Sequence, residues 1–206
     1  MIQGLYAITP SGLEENDLLS KTEVLLKEGI KLIQYRDKIL DKKTLQEKAH
    51  ALLKLTKKYG AKLLINDHVE ICLEISADGF HLGLEDYSSE GNVDLLKKNK
   101  EFISKNLICG LSCKWNKELV VNPPENEIKW TYLAVGSFYP SNTKSTIPET
   151  NENVKRKFLS YTDKPLVAIG GINKKNIGEV RSLGYSCFAL SEALFTNPKH
   201  VLNEYK

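Results

Sequence analysis

Residues 32–65 read LIQYRDKILDKKTLQEKAHALLKLTKKYGAKLLI, and this stretch decides the fold. Two short apolar runs at its ends flank residues 42–58, where the apolar side chains fall mainly on one helical stripe. Gly60 then ends the helical pattern. A strand, an amphipathic helix and a second strand in this order predict a parallel pair, because parallel strands need a crossover connection. The stretch therefore predicts an α/β fold.

The same alternation continues along the whole chain. Short apolar runs predict eight strands, at residues 5–8, 32–35, 63–65, 79–82, 107–111, 131–135, 166–169 and 187–190. Helical patterns lie between most of them and are clearest at residues 17–27, 42–58 and 173–182, the last with Asn173 as its candidate N-cap. Residues 115–130 contain Pro123-Pro124 and predict a short helix and a loop. We predict a single-domain (β/α)8 barrel over residues 1–206, with an open doubly wound sheet as the alternative.

The composition excludes several classes of protein. With 41% hydrophobic and 27% charged residues, the 206-residue chain can bury one sizeable core and does not resemble a disordered chain. Four cysteines are too few for a disulfide scaffold, and no apolar run approaches the roughly 18 residues of a transmembrane helix. We see no signal or transit peptide, and we expect a cytoplasmic location without membrane contact.

Charge and cysteine spacing argue against two further kinds of site. The net charge is only +3, and the densest basic group, residues 97–100, is short, which favours a solvated helix face over a nucleic-acid site. The cysteines form no CxxC pair and have no nearby histidine at a spacing typical of zinc. We expect Cys109 and Cys187 to be buried in apolar runs. Cys113 is the cysteine that could line a site.

Polar residues follow the predicted strands at their carboxyl ends, where α/β barrels form their active sites. At the strand over residues 32–35, Gln34, Arg36 and Lys38 alternate onto one face. An amide, a guanidinium and an ammonium together suit a polyanionic ligand. Arginine can donate two parallel hydrogen bonds to phosphate oxygens, and lysine adds a point charge. Surface ion pairs with Asp37 or Asp41 are the alternative interpretation.

Two carboxylates follow the next two strands. Asp67 comes after the strand at residues 63–65, and Asp86 comes after the strand at residues 79–82. Aspartates at such positions often cap helices. Carboxylates from different strands can also share a magnesium ion, which completes its shell with phosphate oxygens and water. His81 lies within a strand and is expected to be a hydrogen-bonded interior residue.

The later strand ends carry hydroxyl groups and glycines. Ser112 follows the fifth strand, and the loop at residues 136–146 is rich in hydroxyls and contains Lys144, which suggests a loop that closes on phosphate or a plain exposed loop. Gly171 stands at a strand-to-helix turn, where backbone N–H groups can approach a phosphate, and Ser191 follows the eighth strand. Together, these strand-end residues predict that a monophosphate binds at the glycine turn and that a pyrophosphate is bound by magnesium and the basic side chains.

Taken together, these motifs resemble those of the thiamine phosphate synthase family. They occur in the family's order over nearly the whole chain, as Leu5-Tyr6-Ala7-Ile8-Thr9, Gln34-Tyr35-Arg36-Asp37-Lys38, Leu64-Ile65-Asn66-Asp67, Asp78-Gly79-Phe80-His81-Leu82-Gly83-Leu84-Glu85-Asp86, Gly110-Leu111-Ser112, Thr143-Lys144 and Ala168-Ile169-Gly170-Gly171-Ile172. The resemblance implies a TIM barrel that joins a hydroxymethylpyrimidine diphosphate to a thiazole phosphate. The products would be thiamine phosphate and pyrophosphate, and Mg²⁺ would be required.

The resemblance also implies a role for each matched residue. The pyrimidine diphosphate would be bound by Gln34, Arg36, Lys38, Asn66, Ser112 and Lys144, and the Mg²⁺ by Asp67 and Asp86. The thiazole phosphate would be bound by Ser141, Thr143, Gly171, Leu190 and Ser191. The implied mechanism is dissociative: pyrophosphate leaves first, and the thiazole nitrogen then attacks the pyrimidine-methyl cation. The residues that would act in catalysis are Lys144, Arg36, Lys38 and Ser112.

The chain departs from the family pattern at Leu84 and Lys114, and also at Gly136-Ser137 and Pro140-Ser141, where the family usually has Gly-Pro and Pro-Thr. Leu84 stands where the family usually has glutamine, and Lys114 where it usually has histidine. Two alternatives remain, a related thiazole tautomerase on the same barrel and a non-catalytic barrel that binds thiazole phosphate or thiamine phosphate. The tautomerase typically lacks the Gln-x-Arg-x-Lys triplet, the paired aspartates and the Thr-Lys loop end, and this chain has all three. The sequence gives no prediction of the oligomeric state.

Overall fold

A computed structural model of the chain describes residues 3–124, 128–141 and 147–197. Within these ranges eight parallel strands close into a barrel in which each strand pairs with the next and the last pairs with the first. The strands are β1 (Gly4–Ile8), β2 (Leu32–Tyr35), β3 (Lys62–Asn66), β4 (Gly79–Leu82), β5 (Ile108–Ser112), β6 (Tyr132–Val135), β7 (Leu166–Ile169) and β8 (Cys187–Leu190). The register of Ala7 with Leu190 closes the barrel, which confirms the predicted (β/α)8 fold and excludes the open sheet.

Helices connect the strands on the outside of the barrel. They are α1 (Glu15–Lys27), α2 (Lys42–Lys58), α3 (Val69–Glu74), α4 (Leu84–Tyr87), α5 (Glu90–Lys98), α6 (Lys100–Asn106), α7 (Lys117–Val121), α8 (Glu152–Phe158), α9 (Ile177–Ser182) and α10 (Glu192–Thr196). The predicted helix over residues 42–58 is confirmed in full, and Asp41 caps it by accepting the Thr44 N–H at 3.0 Å. No helix within the described ranges has both the length and the hydropathy to cross a membrane.

The prediction for residues 173–182 is wrong at its start. The helix α9 begins at Ile177, and the residue that precedes it is Asn176. The Asn173 side chain accepts the Lys175 N–H at 2.9 Å, while the Asn173 N–H donates to Asn176 Oδ1 at 2.8 Å. These bonds satisfy the backbone donors within a turn, so Asn173 belongs to the turn and does not cap α9.

The core has two layers, one between the strands and the helices and one inside the barrel. Leu63 and Ile65 point outwards toward the helices, whereas Leu64 between them points into the barrel. This follows from the alternation of side chains along a strand. The barrel interior is filled by Tyr6, Ile8, Leu64, Tyr132, Ala134, Val167, Cys187 and Ala189. Side chains therefore close the barrel below its carboxyl end, where the candidate site lies.

A chain of polar side chains runs through this interior. The Tyr6 hydroxyl lies 3.0 Å from the Tyr132 hydroxyl, which in turn lies 2.9 Å from His81 Nδ1. The Gln34 amide donates to the Tyr6 hydroxyl. Burial raises the pKa of both tyrosines, so both hydroxyls stay protonated at neutral pH. The prediction of an interior, hydrogen-bonded His81 is confirmed.

All four cysteines are buried and free of disulfides. This confirms the prediction for Cys109 and Cys187. Cys113 is also fully buried, and its thiol contacts the backbone oxygens of Leu111 and Leu119. Burial raises the pKa of the Cys113 thiol to about 12, so it is inert at neutral pH. The expectation that Cys113 could line a site is wrong, because it packs behind β5 among apolar residues.

Candidate active site

The loop after β1 supports the loop after β2 through a set of short hydrogen bonds. The Thr9 hydroxyl accepts the Arg36 N–H at 2.9 Å and donates to the Arg36 carbonyl at 3.0 Å. Asp37 accepts the Gly12 N–H at 2.9 Å and the Ile39 N–H at 3.1 Å. Asp37 is therefore a structural brace for the loop, and its carboxylate is directed at backbone donors.

The three predicted anion-binding side chains, of which only Gln34 lies within β2, reach different surroundings. The Gln34 amide is buried in the barrel, where it contacts Tyr6. The Arg36 guanidinium donates to Ser11 Oγ at 3.3 Å, in the loop after β1. The Lys38 ammonium lies 3.1 Å from Asp67 Oδ2, in the loop after β3. Arg36 and Lys38 thus stand at the carboxyl end of the barrel, as predicted.

The alternative partners of these basic side chains are engaged elsewhere. The Asp37 carboxylate accepts two backbone N–H groups, and the Asp41 carboxylate caps α2. The alternative interpretation, in which Asp37 or Asp41 would pair with the basic side chains at the surface, is therefore not favoured.

Asp67 and Asp86 meet above the ends of β3 and β4. Asp67 directly follows β3 in a left-handed conformation with φ of 64°, and its N–H donates to the His81 carbonyl at 2.9 Å. Asp86 lies on the short helix α4, with its carboxyl group within hydrogen-bonding distance of the Asp67 carboxyl group. The Asp86 carboxylate also lies against Gly83, the residue that precedes α4, since a Cβ at Gly83 would be 2.8 Å from Asp86 Oδ2. The fold therefore brings together the two carboxylates that the sequence placed on separate strand ends.

The electrostatics of this pair favour a cation. Partial burial raises the pKa of Asp86 above its ordinary value, and the negative charge of Asp67 raises it further. The positive charge of Lys38 and the Gly83 N–H act in the opposite direction but do not cancel the rise. Two carboxylates that repel each other in this way gain most from a bound cation, which removes the repulsion.

Two asparagines hold the aspartates in place. Asn66 Nδ2 donates to Asp67 Oδ2 at 2.6 Å. Asn92, on α5, donates to the backbone carbonyls of Asp86 at 2.7 Å and Asp67 at 3.3 Å. Across the described residues, no group of three or more histidine, cysteine, aspartate or glutamate side chains is arranged to hold a metal ion. A cation at this position would therefore have two protein carboxylates and would need further oxygen ligands from elsewhere.

The strand ends on the next part of the rim carry two of the departures from the family pattern, Leu84 and Lys114. Ser112 is the last residue of β5, in register with Ala134. Lys114 lines an open cavity of about 700 Å³ together with Trp115, Gly136 and Ile147. Leu84 is 42% exposed at the start of α4, so it has no packing reason to be apolar. Neither Asp67 nor Asp86 lines that cavity, which lies above β5 and β6.

The turn after β7 packs tightly against the loop after β6. The N–H groups of Phe138 and Tyr139 donate to the Ile169 and Gly170 carbonyls at 3.1 and 3.0 Å. Gly170 has φ of +100°, and a Cβ there would lie 2.7 Å from the Ser137 Cα. Gly171 has φ of +65°, and a Cβ there would lie 2.7 Å from the Tyr139 carbonyl oxygen. Both glycines are thus required by loop packing, whether or not the turn binds phosphate.

The residues predicted for the thiazole phosphate are only partly described. Ser141 ends a described range, whereas Thr143 and Lys144 lie outside the described residues. The Leu190 side chain is buried in the core, so only its backbone faces the site. Among the described residues the buried Ser191 hydroxyl has no hydrogen-bond partner, so it offers a donor at the carboxyl end of β8.

Thr9, Ser11 and Asn92 contribute to the site but were not predicted. Thr9 and Ser11 act through contacts with residues far along the chain, since Arg36 lies 27 and 25 residues away. Their sequence signals are weak: Thr9-Pro10-Ser11-Gly12 reads as a turn after a strand, and Thr9 ends the first family-like motif, without a sign of a contact with Arg36. Asn92 lies in a helix, in a pattern that gives no sign of a contact with the preceding strand ends.

Comparison with known proteins points to one family. A family model described as thiamine monophosphate synthase matches residues 5–194. A thiamine-phosphate synthase from Nitrosospira multiformis is 36% identical over 195 residues, covering 94% of this chain and 79% of that protein. One from Dictyoglomus turgidum is 35% identical over 198 residues, covering 88% and 82%. The solved structure of a thiamine phosphate pyrophosphorylase from Pyrococcus furiosus matches with a TM-score of 0.77 at 27% identity, covering 98% of this chain and 95% of that one.

Proposed function

This chain belongs to the thiamine monophosphate synthase family and is a transferase that makes thiamine phosphate, and we propose that its substrates are a hydroxymethylpyrimidine diphosphate and a thiazole phosphate. Pyrophosphate would be the second product. The observation that carries the proposal is the meeting of Asp67, Asp86 and Lys38 at one point of the rim. That arrangement suits a diphosphate with its metal ion, and a site for a monophosphate alone would not need it.

The residues at this point fit Mg²⁺. Magnesium is bound in proteins by one or two carboxylates, with the remaining ligands supplied by substrate phosphates and water. Asp67 and Asp86 supply two carboxylates whose mutual repulsion is not fully offset by Lys38. We propose that these two aspartates hold the ion. Once bound, Mg²⁺ would neutralise charge on the diphosphate and so make pyrophosphate a better leaving group.

The basic side chains of the β2 loop would bind the same diphosphate. Arg36 presents a fork of N–H donors, and Lys38 presents a mobile point charge that is half exposed. Both stand where negative charge grows as the carbon–oxygen bond to pyrophosphate breaks, so both would stabilise the transition state more than the ground state. We propose the same role for Ser112 at the end of β5 and for Lys144, and we propose that Asn66 orients Asp67 beside the diphosphate.

Gln34 and the β7–β8 side would bind the two organic parts. The Gln34 amide group is held by Tyr6, so it can offer its remaining polar atoms to a pyrimidine ring above the barrel interior. On the other side, the free Ser191 hydroxyl and the backbone of Gly171 and Leu190 would bind the thiazole phosphate, with Ser141 and Thr143 beside them. Attack by the thiazole nitrogen on the pyrimidine-methyl cation needs no side-chain nucleophile. Exclusion of water from the site would protect that cation.

The two alternative functions find no support. The relatives from Nitrosospira multiformis and Dictyoglomus turgidum are both named thiamine-phosphate synthases. A thiazole tautomerase or a pure thiazole-phosphate binder would have no use for the paired aspartates beside Lys38. A cytoplasmic location remains a prediction from the sequence.

The direct test is product formation from the two proposed substrates. We expect thiamine phosphate, detected by fluorescence after oxidation to thiochrome phosphate, when the protein is mixed with the pyrimidine diphosphate, the thiazole phosphate and Mg²⁺. Omission of Mg²⁺, with EDTA added, should abolish the product. Pyrophosphate should appear in equal amount in an independent assay.

Two results would contradict the proposal. Product formed at the same rate with EDTA would exclude the metal assignment but keep the transferase. No product from a folded protein that still binds thiazole phosphate would exclude the transferase reaction and favour one of the alternatives. Thermal stabilisation by thiazole phosphate alone distinguishes a folded, ligand-binding protein from an inactive preparation.

A further inference from the structure

Asn92 connects the two loops that carry the proposed magnesium ligands. It lies in the first turns of α5 and is 7% exposed. Its amide donates to the Asp86 carbonyl at 2.7 Å and to the Asp67 carbonyl at 3.3 Å. One buried side chain therefore ties the backbone of the loop after β3 to the backbone of α4.

This contact is unlike those of other asparagines in the same region. The Asn99 amide donates to the Leu95 carbonyl, and the Asn106 amide donates to the Phe102 carbonyl, each at 2.9 Å and each four residues back along the chain. Such bonds stay within one helical segment. Asn92 instead bridges residues that lie 6 and 25 positions away. A helix-stabilising role explains the first kind of bond but not the second.

The aspartates need such a tie because their own charges push them apart. Asp67 stands in a left-handed conformation directly after β3, and Asp86 sits on a helix of four residues, so neither backbone segment is long or rigid by itself. A hydrogen bond to each backbone carbonyl resists separation without using the carboxylate oxygens. Those oxygens stay available to a cation.

We propose that Asn92 is a positioning residue that fixes the spacing of Asp67 and Asp86 and so sets the affinity of the site for Mg²⁺. The inference rests on the proposed magnesium site. Removal of an outer-shell group that orients a metal ligand typically lowers the affinity for the metal by roughly 10–100-fold. The Asn92 amide donates to backbone carbonyls, behind the carboxylates, so its removal should weaken Mg²⁺ binding while leaving the chemistry available at high Mg²⁺.

The test compares Asn92→Ala with the matched control Asn99→Ala. Each change removes one partly buried amide that donates to backbone carbonyls near α5, but only the first reaches the aspartate loops. We expect the Mg²⁺ concentration for half-maximal turnover to rise about tenfold in Asn92→Ala, with turnover at saturating Mg²⁺ within about twofold of the parent. Calorimetric titration with Mg²⁺-pyrophosphate should show a similar loss of affinity. Asn99→Ala should leave both measurements unchanged, although both variants lose some thermal stability.

A second variant covers the case in which alanine leaves a damaging cavity. Asn92→Leu keeps the branched shape and the number of side-chain heavy atoms but removes both side-chain hydrogen bonds, and it should give the same rise in the Mg²⁺ requirement. If both variants melt at a lower temperature but keep the parent's Mg²⁺ requirement and calorimetric affinity, Asn92 is only structural and the inference is wrong. If Asp86→Asn also leaves the Mg²⁺ requirement unchanged, the magnesium site itself is wrong. The two failures are therefore distinguishable.

Discussion

The rim of the barrel is built in two different ways on its two sides. Above β2, β3 and β4, polar side chains reach between loops, as in the contacts of Lys38 with Asp67 and of Asn92 with both aspartate segments. Above β6 and β7, backbone packs directly against the glycine turn of Gly170 and Gly171. Substitutions on the first side should therefore change chemistry more than folding. Substitutions on the second side should change folding first.

The largest change in turnover is expected from Asp86→Asn, on the side of the rim above β2, β3 and β4. The variant keeps the shape of the side chain, but it removes the charge of one of the two proposed metal ligands. We expect turnover to fall about 100-fold or more at a fixed Mg²⁺ concentration, while the circular dichroism spectrum stays that of the parent. Asp94→Asn, a change on α5 away from the aspartate pair, is the control. Turnover within about twofold of the parent would remove Asp86 from the site.

The glycine turn should respond in the opposite way. Gly170→Ala forces a side chain into a left-handed backbone with φ of +100° and against Ser137, whereas Gly29→Ala meets a φ of +96° with nothing within 4 Å. Both variants share the backbone strain, so their difference isolates the packing between the two loops. We expect the free energy of unfolding to fall by about 2 kcal/mol more in Gly170→Ala than in Gly29→Ala, measured by urea denaturation. Equal losses would show that the loop after β6 moves aside freely.

A third comparison uses two ion pairs of similar exposure at opposite ends of the barrel. Lys38 pairs with Asp67 at the carboxyl end, and Lys62 pairs with Asp78 at the amino end, with lysine side chains 50% and 59% exposed. Each pair should contribute less than about 1 kcal/mol to stability, because both are open to solvent. We expect Lys38→Met to lower turnover about tenfold through its lost contact with the diphosphate, and Lys62→Met to leave turnover unchanged. Similar turnover in the two variants would exclude Lys38 from the diphosphate site.

Much of the fold and part of the site could be predicted from the sequence, for a physical reason. Strand and helix periods are local properties, so the eight strands appear in the sequence within about one residue of their observed ends. The carboxyl ends of parallel strands share one rim, so the positions of Asp67 and Asp86 after neighbouring strands were enough to predict that the two carboxylates lie close together.

What could not be predicted depends on contacts between distant residues. Asn92 shows no role until α5 is placed over the ends of β3 and β4. Cys113 follows a strand whose last residue faces the rim, yet it turns back into the core behind β5. In the sequence, Gly171 lies in a turn of the kind that binds phosphate. The structure shows that the loop after β6 packs against this turn, and that this packing by itself requires a glycine.

The smallest expected effect concerns pH and tests, without any substrate, whether burial and the charge of Asp67 raise the pKa of Asp86. Partial burial, and then the charge of Asp67, raise the pKa of Asp86 above 3.8 in the folded protein. A carboxyl group whose pKa is raised by folding stabilises the protein at low pH, and that contribution is lost as the pH rises through the folded pKa. In metal-free buffer, Asp86→Asn should therefore melt close to the parent near pH 4 and about 1–3 °C above it near pH 7. Saturating Mg²⁺-pyrophosphate should reverse the order near pH 7, because only the parent keeps both ligands. A constant difference in melting temperature across this range would show that folding does not raise the pKa of Asp86, and the case for a cation beside it would lose its electrostatic basis.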